Sequence, residues 1–434
     1  MNNFKTAQCF CYLSSLIFGK ILWADELGEP KQYERPEIRK KPVSFSLLGT
    51  KALTFTPLLE VSEAYNDNIF ANNILKKGSF VNQIHAGGEL ALTKQQDRYA
   101  LTYSLQSTLF ASSPVDNYVD NYVGIDTYTE FDSRNRLKTN IYYLDSHYFR
   151  GYFFNRDLYS VPMKTTPDTY HRYSAFTTYR YGGENARGNL ELKAGVDDYT
   201  FDNNFASTSY QDRTAYDITP GFFVKVAPKT RVLAQVENTI NTYKNPQWFE
   251  YGYVKQRYLT GVTFDYTEFL RGQVRGGYLQ QSYNASNIKN IEGFTWDVNL
   301  LWYPTSYSKI EFGASRDIKQ LIGNAIARES ERYHIGWMHD WSSRINTKIF
   351  AGMENGTYQS YDGSVVSRVD NYHIYGADIN YSYNKWLGFS LSYTGRNLDS
   401  SFNVVNFDQN TFMFYITANP RIADDIKLPW ASWY

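Results

Sequence analysis

The chain has 434 residues, and its 44 Lys and Arg balance 44 Asp and Glu, so the formal net charge is zero. Nucleic-acid binding needs a basic excess, so this balance excludes that class. The mean hydropathy of −0.51 excludes a bundle of membrane-spanning helices, because each span needs about 20 consecutive apolar residues. Aromatic residues make up 18% of the chain, with 39 Tyr, a side chain suited to a membrane–water interface.

Residues 1–24 are predicted to be a secretory signal peptide. Lys5 supplies a positive start, residues 7–18 are mostly apolar, and cleavage is expected after Ala24. A signal anchor is the alternative, but the apolar run is too short to span a bilayer. Because Cys9 and Cys11 both lie in this segment, the mature chain is predicted to hold no disulfide, thiolate metal site or Cys nucleophile.

Residues 25–51 have a different composition. This stretch is charged, contains Pro30, Pro36 and Pro42, and shows no apolar period. It is predicted to be a flexible periplasmic leader.

Residues 52–418 repeat one unit, which consists of a long alternating strand, a polar loop, a second long strand and a tight turn. The predicted tight turns are 94–97, 132–135, 183–188, 227–230, 267–270, 304–307, 341–344 and 383–386. These turns and nine longer loops join 18 strands, with 16 also possible, and both ends lie on one side. Short turns on one side and long loops on the other are typical of an all-β, up-and-down antiparallel barrel that spans an outer membrane.

The direction of the side chains follows from the alternation along each strand. Leu190 and Leu192 share one face of a strand, whereas Glu191 and Lys193 share the other. In a barrel of this size the apolar set is expected to face lipid and the polar set a wet lumen. The predicted lumen-facing residues are Glu191, Lys193, Arg231, Gln235, Glu237, Asp297, Asn299, Lys309 and Glu311.

A soluble propeller is the alternative fold, because its repeat also spans roughly 40 residues. A propeller needs four short strands in each repeat, whereas this chain has two long ones. The C-terminal residues 419–434 remain open: Ile426, Leu428, Trp430 and Tyr434 alternate. This tail is either a final strand, with one earlier strand miscounted, or a periplasmic extension, which keeps the count even.

The motif Tyr65-Asn66-Asp67-Asn68-Ile69-Phe70 stands at the first predicted strand end. It resembles the start of the outer-membrane β-barrel porins that accompany exopolysaccharide and capsule synthesis genes. The opening Asp97-Arg98-Tyr99, residues 117–122 and the Arg134-Asn135-Arg136-Leu137 turn are also similar to that group. The resemblance covers residues 52–418 and implies secretion or surface assembly of a polysaccharide, with no catalytic residues. From the residues alone, Asn and Asp here predict a structural turn rather than ligand contact.

Catalytic and metal-binding patterns are weak. Asp145-Ser146-His147 is the only tight Ser/His/Asp cluster, but adjacent strand residues do not form the required relay among themselves. His334 and His339 are predicted on opposite faces of one strand, so they do not make a paired metal site. His85, His171 and His373 show no ligand-type arrangement. The sequence therefore predicts that the protein is not an enzyme and needs no cofactor.

Two other groups of side chains have candidate binding roles in the loops. Calcium could bind Asp116, Asp120 and Asp126, or Asp197, Asp198 and Asp202, but neither set has the calcium-loop spacing. Aromatic residues in one long loop could contact carbohydrate, form a constriction, or pack on the barrel rim. They are Tyr152, Phe153, Phe154 and Tyr159.

The expected function is that of a conduit or assembly component for exported polysaccharide. A general diffusion or sugar-uptake porin is the second hypothesis. A membrane-embedded hydrolase and a structural barrel plugged by the leader or the tail are further alternatives. The expected partners are outer-membrane lipid and lipopolysaccharide, a polysaccharide substrate and polysaccharide export machinery. Mixed charges on the predicted lumen wall favour weak ion selectivity.

Overall fold

The computed structural model describes residues 44–150, 165–183, 185–245, 252–267, 269–320, 325–360 and 365–418. Nineteen strands make up most of this part of the chain. They are β1 (Phe45–Ser46), β2 (Leu53–Asn66), β3 (Ser79–Lys94), β4 (Asp97–Phe110), β5 (Tyr118–Glu130), β6 (Asn135–Tyr148), β7 (Asp168–Tyr181), β8 (Gly188–Phe201), β9 (Arg213–Ala227), β10 (Thr230–Tyr243), β11 (Tyr253–Thr267), β12 (Leu270–Tyr283), β13 (Ile291–Thr305), β14 (Ser308–Gln320), β15 (Ala327–Asp340), β16 (Ile345–Gln359), β17 (Val365–Ser382), β18 (Leu387–Ser400) and β19 (Phe407–Ala418).

Helical structure is confined to loops in the described residues: α1 (Phe205–Thr208) and the 3₁₀ turns Pro114–Asp116, Ser209–Gln211 and Asn403–Val405. No helix among these residues is long and apolar enough to cross a membrane.

The long strands β2 to β19 form one closed antiparallel sheet. Each strand pairs with the next in the chain, and β19 pairs with β2 to close the barrel. The 18-strand, up-and-down antiparallel barrel predicted from the repeat is confirmed, and a 16-strand barrel is excluded. Eight tight turns alternate with nine longer connections, as the sequence predicts.

Side-chain caps explain why the chain turns sharply at several strand ends. The Asp132 carboxylate accepts hydrogen bonds from the backbone N–H of Arg134 and of Asn135, at 2.7 and 2.9 Å. The bonds from Arg134 and from the Asn135 side chain hold the pKa of Asp132 below its ordinary 3.8. Asn384 caps the turn before β18 in the same way. Asn and Asp favour turns because they replace backbone partners.

The two faces of the barrel wall differ in chemistry. Large apolar side chains at alternate positions are exposed on the outer face, as Leu190 and Leu192 are in β8 and Ile218 is in β9. The intervening positions point inward and are rich in polar and charged side chains. Trp337, His339 and Trp341 form an aromatic row on the outer face near a tight turn, in which Trp341 is exposed and the other two are partly buried. Such rows occur where the wall meets the membrane interface.

The chain outside the 18 long strands contributes one further element. Phe45 and Ser46 lie within the predicted leader, yet they pair with Phe55 and Thr54 of β2 as the short strand β1. The alternation of Ser44, Phe45, Ser46 and Leu47 suits this edge pairing. The predicted signal peptide 1–24, the first part of the leader and the tail 419–434 lie outside the described residues.

Candidate functional site

The candidate site is the inner wall of the barrel. The residues predicted to face the lumen all occupy the inward set of positions, opposite the exposed apolar residues of their strands. Glu191, Gln235, Asp297 and Asn299 are buried, and the other members are partly buried. Their charged groups form ion pairs and hydrogen bonds, several of which cross between strands.

Arg275 on β12 is the centre of one network. Its guanidinium donates two hydrogen bonds to the Asp297 carboxylate on β13, both at 2.9 Å. On the other side it donates to Gln235 at 2.9 Å and to Glu237 at 2.8 Å, both on β10. Arg257 on β11 binds Glu237 at 2.7 Å and approaches Asp297 at 3.3 Å. Two arginines and two acids thus balance their charges across four strands.

Two smaller networks continue around the wall. The Glu354 carboxylate on β16 accepts from Lys319 on β14 at 2.9 Å, and from Arg328 and Ser330 on β15. Asp370 on β17 is bound through both carboxylate oxygens by Arg368, at 2.8 Å each. Each carboxylate therefore has a basic partner, and none of these charges is isolated.

One region of the inner wall, on β5 to β8, is aromatic instead. The rings of Tyr170 and Tyr199 stack with centroids 4.4 Å apart, and both side chains are buried. Tyr122, Tyr142 and Phe201 belong to the same buried cluster. Two arginines cover this cluster: Arg213 lies 4.5 Å from the Tyr199 ring centre, and Arg172 lies 5.7 Å from that of Tyr142. This part of the inner wall is packed like a protein core.

The inward charges of β8 and β14 also come in pairs of opposite sign. Glu191 binds Arg180 of β7 at 2.5 Å and lies 3.6 Å from Lys193. Lys309 pairs with Glu311 on the same strand. The Lys193, Lys309 and Glu311 side chains keep between 24% and 29% of their surface exposed. Arg231 on β10 donates a hydrogen bond to the Asn189 side chain on β8.

Sequence reasoning did not identify the arginines that organise the networks. Arg257 and Arg275 share a face with the predicted residues of their neighbouring strands. Strand alternation could have found them, but the outer positions of β12 include Gly272 and Gly276, which weakens the apolar period. The aromatic wall was also missed, because Tyr is common on both faces of this chain.

The Ser/His/Asp cluster is arranged differently from a catalytic triad. Ser146 donates to Asp120 Oδ2 at 2.9 Å, and His147 Nδ1 lies 2.9 Å from Asp120 Oδ1. The acid therefore sits between the hydroxyl and the imidazole, whereas a relay needs the imidazole in the middle. The nearby acid is Asp120 on β5, and not Asp145. The His147 ring lies against Tyr118, with centroids 3.7 Å apart.

The two aspartate sets considered for calcium are not assembled into sites. Asp116 binds Arg150 and Asp126 binds Asn140. In the second set, Asp197 binds Arg172, Asp198 binds Lys244 and Asp202 binds His171; these contacts are separate. Among the described residues, no three His, Cys, Asp or Glu side chains form a group that could hold a metal ion.

The remaining histidines are dispersed. His334 lies on the inner face of β15, where its ring contacts Gly313, whereas His339 lies on the outer face beside Trp337 and Trp341. His85 bonds Ser104 at 2.7 Å. The loop aromatics Tyr152, Phe153, Phe154 and Tyr159 lie outside the described residues.

A closed barrel with an apolar outer face and a charged inner wall is the architecture of an outer-membrane β-barrel protein. The sequence matches the model of the family described as Putative beta-barrel porin 2 over residues 48–419. The chain belongs to this family, and the protein is located in the bacterial outer membrane. No match was found among curated proteins.

Several solved structures are similar to this chain at low sequence identity. The chain is similar to the FrpB iron transporter (F3-3 variant) from Neisseria meningitidis, with 10% identity and a TM-score of 0.46, covering 80% of this chain and 62% of that one. It therefore spans less than two thirds of that transporter. It is also similar to the outer membrane protein opdK from Pseudomonas aeruginosa, with 11% identity and a TM-score of 0.45, covering 84% and 98% of the two chains. OccK2 (OpdF) from Pseudomonas aeruginosa, in complex with glucuronate, has 10% identity and a TM-score of 0.47, with the same coverages.

Proposed function

We propose that this protein is a passive channel that lets small hydrophilic solutes cross the outer membrane, as a general diffusion or sugar-uptake porin does. The observation that carries the proposal is the pairing of opposite charges along the inner wall, from the Arg275 network to the Glu191–Lys193 and Lys309–Glu311 pairs. A polar wall inside a barrel of 18 strands is compatible with an aqueous passage.

The balance of the charges sets the expected selectivity. Rings of one sign select ions of the other sign, whereas paired charges cancel each other's field at a distance. The pairs on this wall are close enough to do so, because their N–O distances are 3.6 Å or less in the pairs named above. We therefore expect weak discrimination between anions and cations, which suits neutral sugars and small polar metabolites.

The direct test is reconstitution of the refolded protein in planar bilayers and liposomes. The expected result is stepwise, ohmic conductance with weak ion selectivity, and swelling of liposomes in isosmotic solutions of small sugars. Heat-unfolded protein is the matched control and should give neither signal. Absence of conductance from protein that is demonstrably folded would contradict the channel proposal and favour a closed structural barrel. A strong preference for one ion sign would contradict the paired-wall argument.

Export of a polysaccharide is the second candidate, motivated by the resemblance of the Tyr65–Phe70 motif to porins that accompany exopolysaccharide genes. The family match itself carries no link to such genes. A clean deletion strain, complemented with the wild-type gene, separates the two candidates. Loss of surface polymer with periplasmic accumulation would favour export, and unchanged polymer with slower uptake of small sugars would favour the diffusion porin.

A further inference from the structure

Among the described residues, which end at Ala418, the seam between the first and last long strands has fewer residue pairs than the seams on either side of it. β2 forms fourteen residue pairs with β3 but only eight with β19. β19 itself forms twelve pairs with β18. Residues 408–410 therefore pair with β18 but do not continue the ladder with β2, because β2 ends at Asn66.

The segment directly after β2 fills this gap. At this edge of β19, the backbone N–H and C=O groups of Asp408 and Asn410 point toward the β2 side of the sheet and need partners there. The Asp67 N–H donates to the Asn410 carbonyl at 3.0 Å, and the Asp67 carboxylate accepts from the Asn410 N–H at 2.7 Å. The Asn68 side chain donates to the Asp408 carbonyl at 2.7 Å, and the Asn73 side chain accepts from the Asp408 N–H at 3.0 Å. All four groups are satisfied.

The same segment is held in shape by its own asparagines. Asn66 accepts from the Asn68 N–H at 2.8 Å, and Asn68 accepts from the Asn72 N–H at 3.1 Å. Asn72 accepts from the N–H groups of Ile74 and Leu75. Asn68 is fully buried. These successive side-chain bonds hold the Asp67, Asn68 and Asn73 side chains in a fixed geometry toward β19. Less conformational entropy is therefore lost when the seam forms.

We infer that residues 66–73 are a closure clasp, which completes the pairing of the last strand with the first by side-chain bonds where the backbone of β2 has ended. The pairing of β19 with β2 closes a longer stretch of chain than the pairing of any other two long strands, so it benefits most from additional bonds. Neighbouring long strands elsewhere are joined directly by one turn or loop, whereas the clasp joins residues as far as 343 positions apart. The entropy of closing a longer loop is larger, and an unpaired edge exposes backbone groups to wrong partners.

The opposite end of the seam carries a second bridge. Among the described residues, which end at Ala418, β19 pairs with β2 as far as Leu59, and β1 occupies the same edge of β2 further along, opposite Thr54 and Phe55. The Phe45 ring lies 5.5 Å from that of Trp386, in the turn before β18. Contacts outside the β2–β19 ladder therefore stabilise the seam at both ends: residues 66–73 at one end, and β1 with Phe45 at the other. This arrangement supports a closure role for residues 66–73.

Hydrogen–deuterium exchange of the full-length protein in lipid vesicles tests the clasp. We expect Asp67→Ala to speed exchange at the Asn410 amide at least roughly tenfold, because this amide loses its acceptor. Asn73→Ala should do the same at the Asp408 amide. The matched control is Asn203→Ala, because Asn203 accepts from the Thr169 N–H at 2.8 Å at the ends of β7 and β8, which a tight turn already joins. Its exchange increase should stay local to Thr169.

Assembly provides the second readout. Clasp variants should fold into vesicles more slowly and lose resistance to SDS at a lower temperature than the control. A disulfide between E63C and F414C, which face each other across the seam, should restore the resistance of Asp67→Ala. Unchanged exchange at residues 407–410 in both clasp variants, or equal slowing of assembly in Asn203→Ala, would overturn the inference.

Discussion

At the scale of residues, Asp297 is the acid on which two arginines converge. The Asp297→Asn variant removes the negative charge but keeps the shape of the side chain. Leaving the buried Arg275 with Glu237 as its one remaining ionic partner among those described above should cost about 1–3 kcal/mol of unfolding free energy. The unbalanced guanidinium groups should also shift the reversal potential in a salt gradient toward anion preference.

The matched control for this change is Asp378→Asn, because Asp378 accepts from Ser392 on the same inner face. It removes one negative charge and should move the reversal potential in the same direction, with a smaller loss of thermal stability. Equal destabilisation by the two variants would contradict the central role of Asp297.

The ionisation of Asp67, in the closure clasp, predicts how the stability of the fold depends on pH. Burial raises the pKa of Asp67, but hydrogen bonds from the Asn410 side chain and backbone, together with Lys76, outweigh it and leave the pKa below 3.8. A lowered folded-state pKa means that the ionised group stabilises the fold above the unfolded pKa, and that this contribution disappears as the pH falls through the folded value. The wild type should therefore unfold at a higher temperature than Asp67→Asn at pH 7.

This difference should shrink below pH 3.8, because protonated Asp and Asn present similar groups to Asn410. Thermal unfolding followed by circular dichroism between pH 7 and pH 2.5 measures it. A difference that stays constant across this range would show that the charge of Asp67 contributes nothing to the seam.

At the scale of elements, the alternation within one strand is testable by placing the same charge on either face. Ile218 lies near the middle of β9 and is half exposed on the outer face, whereas Thr219 points inward. Ile218→Arg should cost about 2–4 kcal/mol, the penalty for a basic residue on the lipid face near the bilayer midplane. Thr219→Arg should cost much less, and reversible unfolding in lipid vesicles compares the two. Similar costs would contradict the assignment of faces.

The same alternation explains what the sequence could and could not predict. The inward positions of Glu191 and Asp297 follow from period two within a single strand. The contacts of these side chains do not follow from it. Arg275, the partner of Asp297, also bonds Gln235 two strands away, and such a contact depends on the register between strands. Ser146 and His147 show the same limit: they are neighbours in sequence, but the acid that joins them lies on another strand. The alternation along a strand predicts which side of the barrel wall a side chain faces, whereas the register between strands determines which side chains it contacts.

At the scale of the whole molecule, eight short turns lie on one side of the barrel and nine longer connections on the other. In outer-membrane barrels the short turns face the periplasm and the long loops the exterior. An epitope inserted in the loop at residues 284–290 should be detected by antibody on intact cells. An epitope inserted at residues 342–344 should be detected only after the outer membrane is permeabilised. The reverse pattern would show the opposite orientation.

The networks of the inner wall also limit how this barrel can change over evolution. Arg275 serves acceptors from two other strands at once, so a mutation at any one of these positions leaves the others mismatched. A new solute preference cannot then arise through independent single substitutions. Among relatives, positions 235, 237, 257, 275 and 297 are expected to covary, so that the lining is inherited or replaced as a set.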